Sequence, residues 1–135
     1  MTVVYAREAA LNADEFMDIL RRSGLAARRP VNEPDRIRGM AANANLIVSA
    51  RDSAGRLIGI ARSVTDFTYC CYLSDLAVDA AWQKKGVGRD LIARTREEIH
   101  PKALLLLLAA PAAMDYYPRI GMEKLGTCFA FPRRS

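Results

Sequence analysis

Between Leu73 and Ile99 the hydrophobic period of the chain changes from that of a strand to that of a helix, and a glycine loop marks the change. An apolar run with polar residues interposed spans about Cys70 to Asp79 and reads as a strand. It gives way to Gln83-Lys84-Lys85-Gly86-Val87-Gly88, after which Val87, Leu91, Ile92, Thr95 and Ile99 share one helical face that ends near His100-Pro101. Leu104 to Leu108 follow, bounded by Pro101 and Pro111. That run is short for a helix and reads as a strand buried on both faces. Strand, helix, strand in this order predicts a crossover between parallel neighbours, and hence an α/β sheet covered by helices. Ligands of such sheets meet the carboxyl ends of the strands, which is where this loop falls.

The remaining segments supply further strands and cover. Val3 to Arg7 reads as a first strand. Asn12-Ala13-Asp14-Glu15 has the form of a capping box, Phe16, Ile19, Leu20 and Ser23 recur at helical spacing, and Gly24 provides a stop. After a basic loop, Asn32 with Pro34 in the first turn predicts a second helix with Ile37, Met40, Ala41 and Ala44 as its stripe. Leu46 to Arg51 and Leu57 to Val64 form a hairpin through Asp52-Ser53-Ala54-Gly55. Ala112 to Tyr117 predicts a short fourth helix kinked or ended by Pro118, and Met122 to Phe131 one or two closing strands. The expectation is a single α/β domain over residues 1–135, with a mixed central sheet of six to seven strands flanked by about four helices.

With 135 residues, one core can form without metals or disulfides. The three cysteines, Cys70, Cys71 and Cys128, lack C-x-x-C spacing and read as reduced and mostly buried, Cys70 and Cys71 on opposite faces. Reduced thiols favour a cytoplasmic setting. The N-terminal MTVVYAREAA has no signal-peptide plan, and the longest apolar stretch, Ala103 to Met114 interrupted by Pro111, is too short to span a bilayer. A net charge of +5 raises the question of a polyanionic partner. The arginines at 21, 22, 28, 29, 133 and 134 lack aromatic interleaving, and no zinc or helix-turn-helix signature accompanies them, which argues against nucleic acid as the main partner.

The glycine loop itself has a chemistry. Glycines let the main chain approach an anion closely, and a following helix offers unsatisfied N–H groups and the positive end of its dipole. With Lys84 and Lys85 beside it, this suits a diphosphate. A Walker phosphate loop is excluded because Arg89-Asp90 follows Gly88, and the dinucleotide fingerprint fails because Leu91 stands where its third glycine belongs.

Gln83-x-x-Gly86-x-Gly88 between a strand and a helix resembles the acyl-CoA signature of the GNAT superfamily of N-acetyltransferases. Ala113-x-x-Tyr116-Tyr117-x-x-x-Gly121-Met122 is similar to that superfamily's later motif, with Met122 in place of the usual Phe. The element order agrees over nearly the whole chain. The resemblance implies that the Gln83, Lys84, Lys85, Gly86, Val87, Gly88 and Arg89 loop cradles the CoA pyrophosphate. It implies too that the pantetheine arm adds to the edge of the preceding strand along the main chain of Leu76, Ala77 and Val78. Many relatives carry an Asn where this chain has Ala110, so one side-chain contact to the arm is missing.

By the same resemblance Tyr117 is the general acid for the departing thiolate, a role open to a phenol whose ordinary pKa is near 10. Asp75 stands where relatives have an acidic base or substrate anchor. Tyr116 is expected to face elsewhere as a packed aromatic. His100, the only histidine, is expected as a cation at a helix C-terminus. The activity implied is direct transfer of an acetyl group from acetyl-CoA to a primary amine of a small molecule or peptide, with no metal and with homodimerisation as a family habit. The acceptor would enter between the loop joining the first two helices, roughly Gly24 to Asp35, and the C-terminal segment, and that loop's arginines suit a carboxylate or phosphate, with Glu33 and Asp35 acting against this. A catalytically silent CoA-binding regulator and a basic nucleic-acid module are the competing readings.

Overall fold

A computed structural model of the chain describes residues 2–134. The elements run β1 (Val4–Glu8), α1 (Ala13–Ser23), a 3₁₀ turn (Leu25–Arg28), α2 (Pro34–Asn43), β2 (Leu46–Arg51), β3 (Leu57–Thr65), β4 (Cys70–Val78), a 3₁₀ turn (Ala80–Trp82), α3 (Val87–Glu97), β5 (Leu104–Leu106), a 3₁₀ turn (Pro111–Ala113) and α4 (Tyr116–Arg119). The strands form one sheet in the order β1-β2-β3-β4-β5, antiparallel from β1 to β4, with β5 joined parallel to β4 through α3.

Helices cover both faces of the sheet. Phe16, Ile19 and Leu20 of α1 and Ile37 and Ala41 of α2 pack on Ile47, Leu57, Ile60 and Ala77. Val87, Leu91 and Ile92 of α3 pack on Leu46, Val48, Ile58, Cys71 and Leu73. A fully buried side chain of the size of Phe16 or Leu20 contributes about 1.5–3 kcal/mol, so α1 is held chiefly by its apolar stripe. Its ends are defined locally. Asn12 Oδ1 accepts the Asp14 and Glu15 amides at 2.8 and 3.0 Å, and Gly24 closes the helix at φ 85°. Gly59 lets α3 sit close to the sheet, because a Cβ there would stand 3.1 Å from both Leu91 and Val87.

Several expectations need correction. Among the described residues the sheet has five strands, not six or seven, because Met122 to Phe131 forms none. Gly121 at φ 97° turns the chain just before that segment, Gly126 interrupts it, and from Glu123 to Phe131 it is exposed throughout. The leucine strand is three residues long and lies at the sheet edge with Leu104 half exposed, rather than buried on both faces. The capping residue of α2 is Glu33 and not Asn32, without a side-chain hydrogen bond. Pro118 neither kinks nor ends α4: it occupies the first turn, where a missing N–H leaves no gap. Only Cys71 of the three thiols is buried, although Cys70 and Cys71 do lie on opposite faces.

Candidate active site

A bulge in β4 sets the geometry. Leu73 pairs with Ser63 and Asp75 with Arg62, leaving Ser74 as an extra residue. An extra residue shifts the inward–outward alternation by one. Cys71 and Leu73 therefore face the α3 side, whereas Ala77, also odd-numbered, faces α1 and α2. The same shift carries Asp75 onto Arg62 and Arg29. Its carboxylate is fully buried and accepts from Arg29 Nε on one oxygen and Arg62 Nε on the other. Arg29 also donates to Ser74 O at 2.9 Å, and Arg62 donates to Met40 O at 3.1 Å. The bulge is thus bound to the 3₁₀ turn region after α1 and to α2.

Beyond the bulge β4 has only one neighbour. Its pairing with β5 covers Cys70, Cys71 and Tyr72 and then stops, so the two strands splay apart. Backbone groups of adjacent strand residues point to opposite sides. Asp79 N donates to Ile58 O at 2.9 Å, which fixes the phase. The polar groups of Ala77 face β3, and those of Leu76 and Val78 face the open side. Ala77 is accordingly paired inward, whereas Leu76 and Val78 keep their main-chain groups at the unpaired edge. Gln83 Nε2 already donates to Val78 O at 2.9 Å and to Ser23 O at 3.2 Å, tying the glycine loop to the end of β4 and to α1.

That loop leads from β4 to the N-terminus of α3. Asp79 caps its first turn through the Ala81 amide at 2.8 Å and binds Arg22 Nη1 at 2.6 Å. Burial raises the Asp79 pKa, but the Arg22 guanidinium, the Ala81 amide and the more distant Arg56 together outweigh it and hold the carboxyl below its ordinary value. Lys84 takes a left-handed conformation at φ 63° and Gly86 does so at φ 85°. Left-handed residues are uncommon outside glycine, and they turn successive amides toward one concave surface. Lys84, Lys85 and Arg89 are exposed around it, with the Lys85 ammonium 5.7 Å above the Trp82 ring.

The two tyrosines of α4 close the site. Tyr117 packs half-buried against the core on the α3 side. Burial pushes its hydroxyl above the ordinary phenol value, with Tyr116 adding to the rise and the Arg29 guanidinium opposing it. Tyr116 does not face away as expected. Its hydroxyl lies 3.0 Å from where a Cβ on Gly88 would stand, and its ring meets Tyr117 edge-on at 5.2 Å and 80°. α3 ends at Glu97, three residues before His100, whose Nδ1 lies 3.0 Å from the Lys102 amide.

Sequence reasoning missed the pairing of Arg29 and Arg62 with Asp75. Arg62 carried a usable signal as a lone cation within an apolar strand, two residues from Ile60, because a buried charge demands a partner. The Ser74 bulge left no such mark.

The family model for the acetyltransferase (GNAT) domain matches residues 20–131, and the chain belongs to that family. Its solved structural relatives include a GNAT family acetyltransferase from Streptococcus pneumoniae, 16% identical, with a TM-score of 0.79 over 99% of this chain and 98% of the other. An aminoglycoside acetyltransferase from an uncultured soil metagenomic sample, solved with sisomicin, is 18% identical with a TM-score of 0.70 over 98% and 97%. The aminoglycoside N-acetyltransferase AAC(6')-Iy, solved with CoA, is 15% identical with a TM-score of 0.72 over 99% and 96%. No curated protein matches the chain. Among the described residues no helix is long and apolar enough to cross a membrane.

Proposed function

We propose that the protein transfers an acetyl group from acetyl-CoA directly to a primary amine within a ternary complex. What supports this reading is the unpaired edge of β4 leading into the glycine loop, with Tyr116 against Gly88 of that loop and Tyr117 edge-on to Tyr116, in a chain of the GNAT family. In this reading the amides from Gln83 to Arg89 hold the diphosphate, each contact worth on the order of 0.3–2 kcal/mol. Leu76 and Val78 offer main-chain hydrogen bonds to the pantetheine arm. Attack of the neutral amine on the thioester carbonyl forms a tetrahedral intermediate. Its collapse breaks the C–S bond, Tyr117 donates its proton to the departing thiolate, and the proton shed by the amine nitrogen passes to solvent, from which the phenolate is reprotonated.

Asp75 is better suited to hold the site than to take a proton. Both of its oxygens are occupied by guanidinium groups, so it positions Arg29 and Arg62 and, through Arg29, the bulge. Of the four arginines near the acceptor entrance, Arg22 and Arg29 are likewise committed to internal carboxylates, leaving Arg21 and Arg28 exposed to meet an anionic group on the acceptor. Homodimerisation in the cytoplasm completes the proposal on family grounds.

The test is free-thiol release from acetyl-CoA across amino acids, polyamines, arylalkylamines, aminoglycosides and basic peptides. Turnover with at least one amine is expected, and Tyr117→Phe should lower kcat by about 10²-fold or more while CoA affinity changes little. CoA binding without turnover on any amine, and no effect of Tyr117→Phe, would instead identify a CoA-binding regulator.

A further inference from the structure

We propose that Arg22, in the last turn of α1, is a positioning residue for the diphosphate loop: by holding Asp79 it fixes where that loop leaves the sheet and so aims the loop amides at the cofactor. The inference rests on the acetyl-CoA reading and adds to it a residue that acts through another. All three guanidinium nitrogens of Arg22 are engaged, Nε with Asp18 Oδ2 at 2.8 Å, Nη1 with Asp79 Oδ2 at 2.6 Å and Nη2 with the Leu57 carbonyl at 2.6 Å. The planar fork therefore joins α1, the first residue of β3 and the residue that follows β4. The Arg22 side chain is 17% exposed and that of Asp79 11%, so water competes little for the pair. Every other polar group of Asp79 is bound as well. Its N–H donates to Ile58 O at 2.9 Å, its carbonyl accepts from the Trp82 amide at 2.8 Å, and Oδ1 accepts from the Ala81 amide at 2.8 Å.

The loop needs such an anchor because its shape is not the one its residues prefer. Lys84 stands in the left-handed region at φ 63°, which a residue with a Cβ seldom adopts, and Gly86 follows at φ 85°. A conformation of that kind persists where its surroundings over-determine it. The entry to the loop is held twice from α1: Arg22 holds Asp79, and the carbonyl of the next residue, Ser23, accepts from Gln83 Nε2 at 3.2 Å. Asp79 and Gln83 bracket the 3₁₀ turn immediately before Lys84, so the end of α1 is a template on which the cradle is set out. The guanidinium that grips Asp79 also grips Leu57 O, which references the loop to β3 and not merely to a helix. A lysine would keep the charge, but its single ammonium cannot present the planar fork that meets all three acceptors. An ion pair that only supports the fold acts without regard to the ligand. A positioning pair affects the ligand group that the loop holds and leaves the others alone.

The test is calorimetric titration of the Arg22→Lys chain with CoA, dephospho-CoA and pantetheine, together with acetyl-CoA turnover on an accepted amine and thermal unfolding. The variant is expected to weaken CoA and dephospho-CoA alike by about tenfold, the equivalent of one lost hydrogen bond to a charged group, and to leave pantetheine, which lacks the diphosphate, unchanged. KM for acetyl-CoA should rise by the same factor, with kcat and the KM of the amine retained. Undiminished CoA affinity, whatever the unfolding midpoint, would make the pair structural only. An equal loss for pantetheine would mean that the whole site has loosened, and a raised KM for the amine alone would place Arg22 at the acceptor. Each of these overturns the proposal. Should Arg22→Lys fail to fold, Asp79→Asn, which preserves side-chain volume, is titrated in its place and its outcomes are read the same way. If the wild-type protein does not bind CoA, the acetyltransferase reading fails together with this inference, whereas normal wild-type binding with an unaffected variant removes this inference alone.

Discussion

At Asp75 a single carboxylate holds two guanidinium groups in a buried place, and the asymmetry of buried charge decides what its loss would do. Removing one partner leaves the others without compensation, which typically costs about 3–5 kcal/mol. Asp75→Ala is therefore expected to destabilise the protein by about that much in urea unfolding, a far larger loss than for an exposed aspartate such as Asp35. A change below about 1 kcal/mol would show that the arginines find other partners. Tyr117 predicts a pH dependence. Its hydroxyl must be protonated to act as an acid, and burial, assisted by Tyr116 against the opposition of Arg29, raises its pKa above 10. The alkaline limb of kcat should then lie above pH 10 and disappear in Tyr117→Phe. A limb near pH 8 that persists in the variant would assign it to another group. Motif spacing singled out Tyr117 and the loop residues in the sequence. The partners of Asp75 were not legible there, because Arg29 and Arg62 lie 46 and 13 residues from it in sequence and meet it only through the fold.

Elements were legible where period and punctuation agreed. α1 has its Asn12 cap and its Gly24 stop, β2 begins and ends where its apolar run does, and the α3 face of Val87, Leu91, Ile92 and Thr95 is buried as its spacing predicts. Failures came where local preference had no tertiary partner to act upon. Met122 to Phe131 contains strand formers, yet a strand exists only by pairing, and this segment pairs with nothing among the described residues. The leucine run gave composition but not length, because β5 ends where β4 bends away at its bulge. The glycine loop permits a prediction at this scale. Gly86 has φ 85°, and a β-branched residue there would be strained by at least about 1–2 kcal/mol. Its Cβ would also stand 2.8 Å from the mobile end of Arg89. Gly86→Val should lose most CoA affinity in calorimetry while retaining the far-ultraviolet circular dichroism of the wild type; undiminished affinity would remove the loop from the site.

For the whole molecule, the split between a well-packed body and a bare C-terminal segment determines where substitutions matter. Phe16 and Leu20 are fully enclosed, but Phe129 and Phe131 are 94% and 102% exposed. Replacing both by serine should change folding stability by less than about 0.5 kcal/mol per site, as for other surface positions. A larger drop in the midpoint of thermal unfolding, dependent on protein concentration, would show that they are covered in an oligomer.

The ladder between β4 and β5 ends after Tyr72, and this bears on the kinetics of capture. No ladder must be unzipped to admit the carrier arm, so the encounter should be governed by diffusion and orientation, at about 10⁵–10⁷ per molar per second or faster. Stopped-flow traces with CoA would then rise in rate linearly with concentration, while a plateau would reveal a closed form that must first open. A cleft standing ready in this way leaves affinity to be tuned by how slowly the coenzyme departs.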